Sequence, residues 1–186
     1  MKEAFLFSIT MVDCHACPGV SSILMIISAS RRTDIPAFYA PWLIKRIRQG
    51  ECQVVNPYRR DRIKRISLLP GDVDVIVFWT RHALPLLPFL GELDQRGFRY
   101  YFQYTLTNYP RLLEQRTPSR AAALDSFKAL ANKIGKERVV WRYDPIFFSE
   151  STSLDFHQRN FNALARDLRG YSQRCVEMGR AHVGTP

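Results

Sequence analysis

Short apolar runs alternate along the chain with segments in which apolar residues recur at helical spacing. The apolar runs predict five strands, at residues 25–29, 73–79, 100–106, 138–143 and 173–176. The periodic segments between them predict helices at residues 42–48, 84–93, 119–134 and 156–168. Two shorter extended pieces, at residues 52–56 and 66–68, flank a basic turn. Strands that alternate with helices are typical of βαβ units in a parallel sheet.

This pattern predicts an α/β fold, a partial and open (β/α) barrel of four to five parallel strands with flanking helices. Five strands are fewer than the eight that close such a barrel, and a doubly wound sheet is the second architecture. We expect one domain over residues 25–176, preceded by an extension, residues 1–24, that lies outside the fold. Residues 177–186 are a divergent tail with few apolar positions. The fifth strand then forms a sheet edge through which the chain can associate with itself.

Composition places the chain among soluble globular proteins, with 46% hydrophobic and 24% charged residues. No apolar run approaches the ~20 residues of a membrane span. Lysine and arginine outnumber the acids 27 to 17, a formal net charge of +10. The charge belongs to the body of the chain, because residues 25–176 contain 25 of the basic and 14 of the acidic residues. A basic body favours an anionic partner, either a small molecule or cofactor or a nucleic acid, although a solvated basic surface has the same composition.

The chain contains four cysteines, Cys14, Cys17, Cys52 and Cys175. They form no dense disulfide framework, which favours a reducing, cytoplasmic location. Cys14 and Cys17 have the spacing of redox and metal sites, but no second pair completes a four-ligand zinc set. We therefore predict no metal site.

Polar side chains follow the apolar run at the end of each of the first four predicted strands. Because the carboxyl ends of parallel strands meet at one edge of a sheet, we expect them to form a ligand site there. The arginines would bind an anion, and Asp34 or Asp144 would orient a hydroxyl or an amine. Alternatively, Arg31–Asp34 and Arg142–Asp144 are ion pairs that only close the strand ends. The predicted ligand residues are Ser28, Arg31, Arg32, Asp34, Trp79, Thr80, Gln103, Thr105, Arg142 and Asp144.

A run of basic residues lies between the two short extended pieces, and it predicts a second kind of site. Such a run can contact a nucleic-acid backbone, although it is also typical of a solvated loop. The residues concerned are Arg59, Arg60, Arg62, Lys64 and Arg65. Glycine-rich phosphate loops and nucleophile elbows are absent, so no catalytic residue is identified. His157 lies in an amphipathic segment, and we expect it to be exposed.

Four segments resemble the DUF1848 family, a domain of unknown function. They are MIISASRRTDIPAFY at 25–39, DVIVFWT at 74–80, YYFQYTLT at 100–107 and VWRYDP at 140–145. The resemblance implies a bacterial protein with a partial barrel similar to radical S-adenosylmethionine enzymes and spore photoproduct lyase. It also implies a C-terminal cysteine cluster that holds iron and sulfur, with S-adenosylmethionine as cofactor.

The chain departs from this family pattern after Val176, where it diverges and stops. Cys175 alone cannot hold a cluster that needs three or four thiolates. The chain thus resembles a truncated member, and neither cofactor is supported by its own residues. Two hypotheses for its function remain open, a strand-end anion or cofactor site and a basic nucleic-acid-binding module. Whether the chain is an enzyme stays open as well.

Overall fold

A computed structural model describes residues 7–14, 22–29, 33–55, 63–177 and 180–182. The strands are β1 Phe7–Cys14, β2 Ser22–Ala29, β3 Glu51–Val55, β4 Ile63–Ser67, β5 Val75–Thr80, β6 Tyr100–Thr105, β7 Val139–Arg142, β8 Ile146–Phe148, β9 Arg174–Val176 and β10 Arg180–His182. The α-helices are α1 Ile35–Phe38, α2 Ala40–Gln49, α3 Leu90–Gln95, α4 Arg120–Ile134 and α5 Leu154–Asp167. Each of the helices in these ranges is too short or too polar to cross a membrane.

Hydrogen bonds join six strands into an open sheet of order β1-β2-β5-β6-β7-β9. Five of them, β2, β5, β6, β7 and β9, run parallel, and the sheet is not closed into a barrel. The predicted α/β class, with an open parallel sheet and flanking helices, is confirmed. β9 lies at one end of this order, and self-association through it stays a prediction.

The chain divides into two compact units, where the sequence predicted a single domain. The first comprises Met1–Thr80 and Leu84–Phe102, and the second comprises Arg81–Ala83 and Gln103–Pro186. Each unit has helices of its own, with α1, α2 and α3 in the first and α4 and α5 in the second. The apolar face of an amphipathic helix predicts that this face is buried, but not which strands it covers. The sequence pattern therefore does not reveal the division of the chain into two units.

In the first unit, the register of β2 and β5 separates two faces of the sheet. Ile27 pairs with Ile76 and Ala29 with Phe78, and all four side chains are buried. Ser28 pairs with Val77 on the opposite face. The strands on either side of the predicted basic turn, β3 and β4, pair antiparallel.

The strand β1 is a difference from the sequence-based expectation that residues 1–24 lie outside the fold. It pairs antiparallel with β2 over its full length. Apolar and polar residues alternate at positions 7–11, which is a strand pattern. The sequence-based expectation missed this alternation because the segment is rich in apolar residues. β10 likewise pairs with β8, although residues 177–186 were expected to be a divergent tail.

In the second unit, α4 begins and ends where the sequence predicts. The Ser119 side chain accepts a hydrogen bond from the Ala122 amide, and Gly135 follows the last turn with a φ of 92°. The α4 side chain Phe127 packs edge-on against Tyr104 of β6, with ring centroids 5.0 Å apart. From α5, Phe161 stacks on Trp141 of β7 at 4.8 Å.

Candidate functional site

In the first unit, the predicted ligand residues lie on different sides of the sheet. The Thr80 hydroxyl donates a hydrogen bond of 2.7 Å to Asp34 Oδ1, which also accepts from the Ala37 amide at 3.0 Å. Asp34 therefore caps α1. Ser28 and Trp79 alternate with the buried positions and belong to the opposite face. The remaining two predicted residues, Arg31 and Arg32, lie outside the described residues.

In the second unit, the structure brings the predicted ligand residues together on one face. The Leu106 amide donates to the Arg142 carbonyl at 3.0 Å, a register that places Thr105 beside Arg142. Arg142 forms an ion pair with Asp144, both largely buried. Gln103 lies two residues earlier on the same face of β6, and its buried Oε1 has no hydrogen-bond partner in the described part of the chain. The ion pair between Arg142 and Asp144 is also what the alternative interpretation predicts, in which the pair only closes the strand end. A role for these two residues in ligand binding therefore stays a prediction.

A pocket of about 170 Å³ lies at the carboxyl end of β6, beside the first turn of α4. Three arginines and one glutamate line it, namely Arg81, Arg111, Arg120 and Glu114. We call it the arginine pocket. Of the predicted ligand residues, only Thr105 lines this pocket. Glu114 and Arg111 lie in the loop before α4, where no periodic pattern marks them.

Arg81 and Glu114 form the inner part of the arginine pocket. Arg81 Nη1 lies 2.8 Å from Glu114 Oε1 and donates to the Thr107 hydroxyl at 3.2 Å. Thr107 in turn donates to both carboxylate oxygens of Glu114, at 3.0 and 3.1 Å. The Tyr104 hydroxyl donates to the Arg81 carbonyl at 2.9 Å. These bonds fix the Arg81 guanidinium at the strand end and pair it with a carboxylate.

The other two arginines are anchored at the outer part of the arginine pocket. Arg111 Nη1 donates to the Thr117 carbonyl at 2.7 Å and holds the loop before α4 closed. Arg120 Nη2 lies 2.6 Å from Asp167 Oδ2, and its side chain is 41% exposed. The amides of the first helical turn also point towards this end of α4, where a helix favours negative charge.

The arginine pocket has a positive balance of charge. Three arginines and one glutamate among its lining residues leave a formal charge of +2. An open crevice of about 620 Å³ adjoins it and shares Arg81, Glu114 and Thr117. A ligand held by the pocket therefore has space to extend towards solvent.

A buried network of polar side chains forms the wall behind the arginine pocket. Asn108 Nδ2 donates to Asn160 Oδ1 at 2.7 Å, and Asn160 Nδ2 donates to the Thr107 carbonyl at 2.7 Å and to the Tyr143 hydroxyl at 3.0 Å. The Tyr143 hydroxyl lies 3.0 Å from His157 Nδ1. These contacts satisfy groups that would otherwise be buried without partners.

His157 is buried, with 6% exposure, which corrects the expectation of a surface side chain. Its Nε2 lies 2.9 Å from the Phe147 carbonyl. The ring also contacts Tyr109, Phe148 and Phe156 edge-on. The segment between β7 and α5 covers this face of the helix, and the helical pattern alone does not reveal such a cover.

Tyr109 joins this wall to the arginine pocket. Its hydroxyl donates to the Pro145 carbonyl at 2.7 Å. Burial raises the pKa of Tyr109 to about 12, with a smaller opposing effect from the Phe147 backbone. At neutral pH the phenol is therefore a protonated donor.

Two of the predicted nucleic-acid contacts, Lys64 and Arg65, lie on β4 and are exposed. Arg65 Nη1 is 3.9 Å from Glu51 Oε2 on β3, with the arginine side chain 73% exposed. The other three, Arg59, Arg60 and Arg62, lie outside the described residues.

Comparison with known proteins identifies the family. The family model described as Domain of unknown function (DUF1848) matches residues 26–178. The chain belongs to this family. No curated protein and no solved structure matches it. The match ends near the predicted domain boundary and includes both units of the structure.

An iron–sulfur cluster, which the DUF1848 resemblance implies, has no ligand set in the described part of the chain. Within those residues no three His, Cys, Asp or Glu side chains converge as metal ligands. Cys52 is buried on β3, and burial raises its pKa to about 11, which keeps the thiol protonated at neutral pH. Cys175 lies exposed on β9. We therefore assign no chemical step to a cluster.

Proposed function

We propose that this DUF1848 chain binds a small phosphorylated or carboxylated molecule in the arginine pocket. The observation that carries the proposal is the convergence of Arg81, Arg111 and Arg120 at the carboxyl end of β6. Guanidinium groups match the geometry of phosphate and carboxylate oxygens. Ligands of open parallel sheets bind at this end of the strands.

The size of the pocket favours a small anionic group over a whole cofactor. Pockets for drug-sized molecules occupy roughly 300–1,000 Å³. The arginine pocket, at about 170 Å³, fits one phosphate or carboxylate group. The adjoining crevice would take the rest of the molecule. Thr105 lies in this pocket and beside Arg142, so the predicted strand-end residues of the second unit would contact a larger ligand.

The family resemblance adds S-adenosylmethionine as a second ligand to test. Its carboxylate is an anion that an arginine can bind. S-adenosylmethionine is therefore proposed as a bound anion, and no chemical step is assigned to it.

Calorimetric titration of the full chain tests the proposal, with pyrophosphate, inorganic phosphate and S-adenosylmethionine as separate probes. We expect saturable binding of at least one of them. Arg120→Gln should weaken that binding about tenfold, because it removes one charge-assisted contact. The ion pair that this removes, between Arg120 and Asp167, is solvent-exposed, which limits the effect on folding.

The matched control is Lys133→Gln, which removes a positive charge from the last turn of the same helix. Its affinity should equal that of the unchanged chain. Equal weakening in both variants would show a diffuse charge effect and would refute the site. Absence of saturable binding to all three probes would refute it as well.

The basic hairpin formed by β3 and β4 supports nucleic-acid binding as a second candidate function. Ile63, Lys64 and Arg65 are all exposed on β4. A two-stranded ribbon of this width can enter the major groove of DNA, and its basic side chains would contact phosphates.

Fluorescence anisotropy with a labelled duplex, measured over a range of salt concentrations, separates the two functions. Backbone binding should weaken steeply with salt and should survive the loss of Asp34. The double variant Lys64→Ala, Arg65→Ala should make the salt dependence less steep by roughly two units of slope. An unchanged slope would exclude the hairpin as the contact surface.

A further inference from the structure

A second pocket in the second unit, of about 340 Å³, lies between α5 and β8. Aromatic rings form its walls, those of Tyr143, Phe148 and Phe161. Glu177 contributes its only carboxylate among the described lining residues, and none of those residues is lysine or arginine. We call it the aromatic pocket. In a chain with a net charge of +10, this absence of lysine and arginine among the described lining residues sets the pocket apart.

Two rings of the aromatic pocket stand at a steep angle to each other. Tyr143 and Phe161 have centroids 5.3 Å apart and planes at 84°. Trp141 covers one face of Phe161 with a stacked contact at 4.8 Å and 21°. Phe161 is thus held from behind, and the Tyr143 side chain is fixed by the hydrogen bonds of its hydroxyl. Rigid rings at right angles are the basis of aromatic cages that bind organic cations.

The imidazole of His157 lies in the floor of the aromatic pocket. The Phe147 carbonyl can only accept, so His157 Nε2 is the donor in their contact. His157 Nδ1 lies 3.0 Å from the Tyr143 hydroxyl. Both hydrogen-bonding positions of the imidazole are occupied within the protein.

Glu177 gives the mouth of the pocket a negative charge. It is exposed, whereas Tyr143 and His157 below it are buried. The pKa of Tyr143 is raised mainly by burial, and the negative charge of Glu177 raises it further. The Glu177 carboxylate therefore interacts electrostatically with Tyr143 in the pocket.

We infer that the aromatic pocket binds an alkylated ammonium group, such as a trimethylammonium group, through the rings of Phe148 and Phe161, which line it together with the buried Tyr143, and with Glu177 as counter-ion. The ring faces provide no hydrogen-bond acceptor for a primary ammonium or a guanidinium, whereas the lining residues Gln158, Asn162 and Glu177 do. A methylated ammonium needs no acceptor and is attracted to ring faces. The site is separate from the arginine pocket and does not depend on the function proposed for it.

Titration of the full chain with choline, followed by proton NMR, tests this inference. Methyl groups above aromatic rings shift upfield, so the N-methyl signal reports a cage directly. We expect a saturable upfield shift. The neutral isostere 3,3-dimethylbutan-1-ol has the same shape without the charge and should bind at least about fivefold more weakly. Equal binding of the two compounds would show a simple apolar crevice and refute the inference, as would a choline shift that grows without saturation.

Variants separate the contribution of the charge from that of the rings. Glu177→Gln should weaken choline binding about fivefold and leave the isostere unaffected. Glu150→Gln removes an exposed carboxylate from the same unit outside the pocket and should change neither. Phe148→Leu preserves an apolar wall and should abolish the upfield component, with circular dichroism to confirm folding. If Glu177→Gln binds choline as tightly as Glu150→Gln does, the assignment is wrong.

Discussion

The two pockets of the second unit differ in almost every chemical respect. The arginine pocket combines three guanidiniums with one carboxylate, whereas the aromatic pocket combines three rings with one carboxylate and, among its described residues, has no basic side chain. One lies at a strand end and a helix start, and the other lies between a helix and a short strand. A net charge of +10 therefore describes the chain as a whole and does not determine the sign of the charge at each pocket.

The two pockets have a wall in common, the hydrogen-bonded chain from Asn108 through Asn160 to Tyr143. Asn108 lines the arginine pocket, and Tyr143 lines the aromatic pocket. Asn160, 8% exposed, lies between them and makes three of the bonds. A substitution in this wall should therefore weaken ligand binding in both pockets. A substitution of a residue that lines only one pocket should affect binding in that pocket alone.

The largest expected effect is that of Asn160→Ala. The substitution leaves the Thr107 carbonyl and the Asn108 amide without partners, which should lower the free energy of unfolding by about 3 kcal/mol. Where the variant remains folded, it should weaken pyrophosphate and choline binding together. Urea unfolding and both titrations measure this.

Asn162→Ala is the matched control for Asn160→Ala, because Asn162 is exposed on the same helix. Its unfolding free energy should stay within about 0.5 kcal/mol of the unchanged chain. Equal stability of the two variants would contradict the role of the network.

A smaller effect is expected from a substitution in the arginine pocket. Glu114→Gln retains the shape of the side chain and raises the formal charge of the arginine pocket from +2 to +3. Pyrophosphate should bind about fivefold more tightly, since the carboxylate no longer competes for Arg81. Choline binding should not change. Weaker pyrophosphate binding would mean that Glu114 serves mainly to position Arg81 and that the pocket is not limited by charge.

The smallest effect concerns alkaline pH. The pKa of Tyr109 is raised to about 12, so the folded state holds this proton more tightly than the unfolded state, whose value is near 10. The stability that the phenol contributes is complete below pH ~10 and is lost as the pH rises towards ~12. Tyr109→Phe should therefore lose less stability across this interval than the unchanged chain.

Urea midpoints at several alkaline pH values measure the difference. Tyr143, whose pKa is also raised, should leave the variant with a remaining loss of stability as the pH rises. Identical pH dependence in both proteins would show that the Tyr109 phenol is not held by the fold.

Local sequence patterns predicted the regular elements and failed where distant segments meet. The apolar runs located all five parallel strands, and the Ser119 cap and Gly135 bounded α4. Those features depend on neighbours in sequence. The predicted helix at 84–93 is instead a 3₁₀ turn, Leu87–Phe89, followed by α3, because prolines there remove helix donors.

The candidate sites were harder to predict for the same physical reason. Arg142 and Asp144 are two residues apart, and their pairing follows from the strand end alone. Arg81 and Glu114 meet only because a loop returns to the end of β6. The burial of His157 depends on the segment around Phe147, whose position no periodicity encodes.

The most direct test of the central claim is an amide chemical-shift map of the full chain titrated with pyrophosphate. The account predicts saturable shifts at Asn108, Arg111, Ser119 and Arg120, around the arginine pocket, with β3 and β4 unchanged. Shifts confined to the basic hairpin, or spread over the surface without saturation, would contradict it.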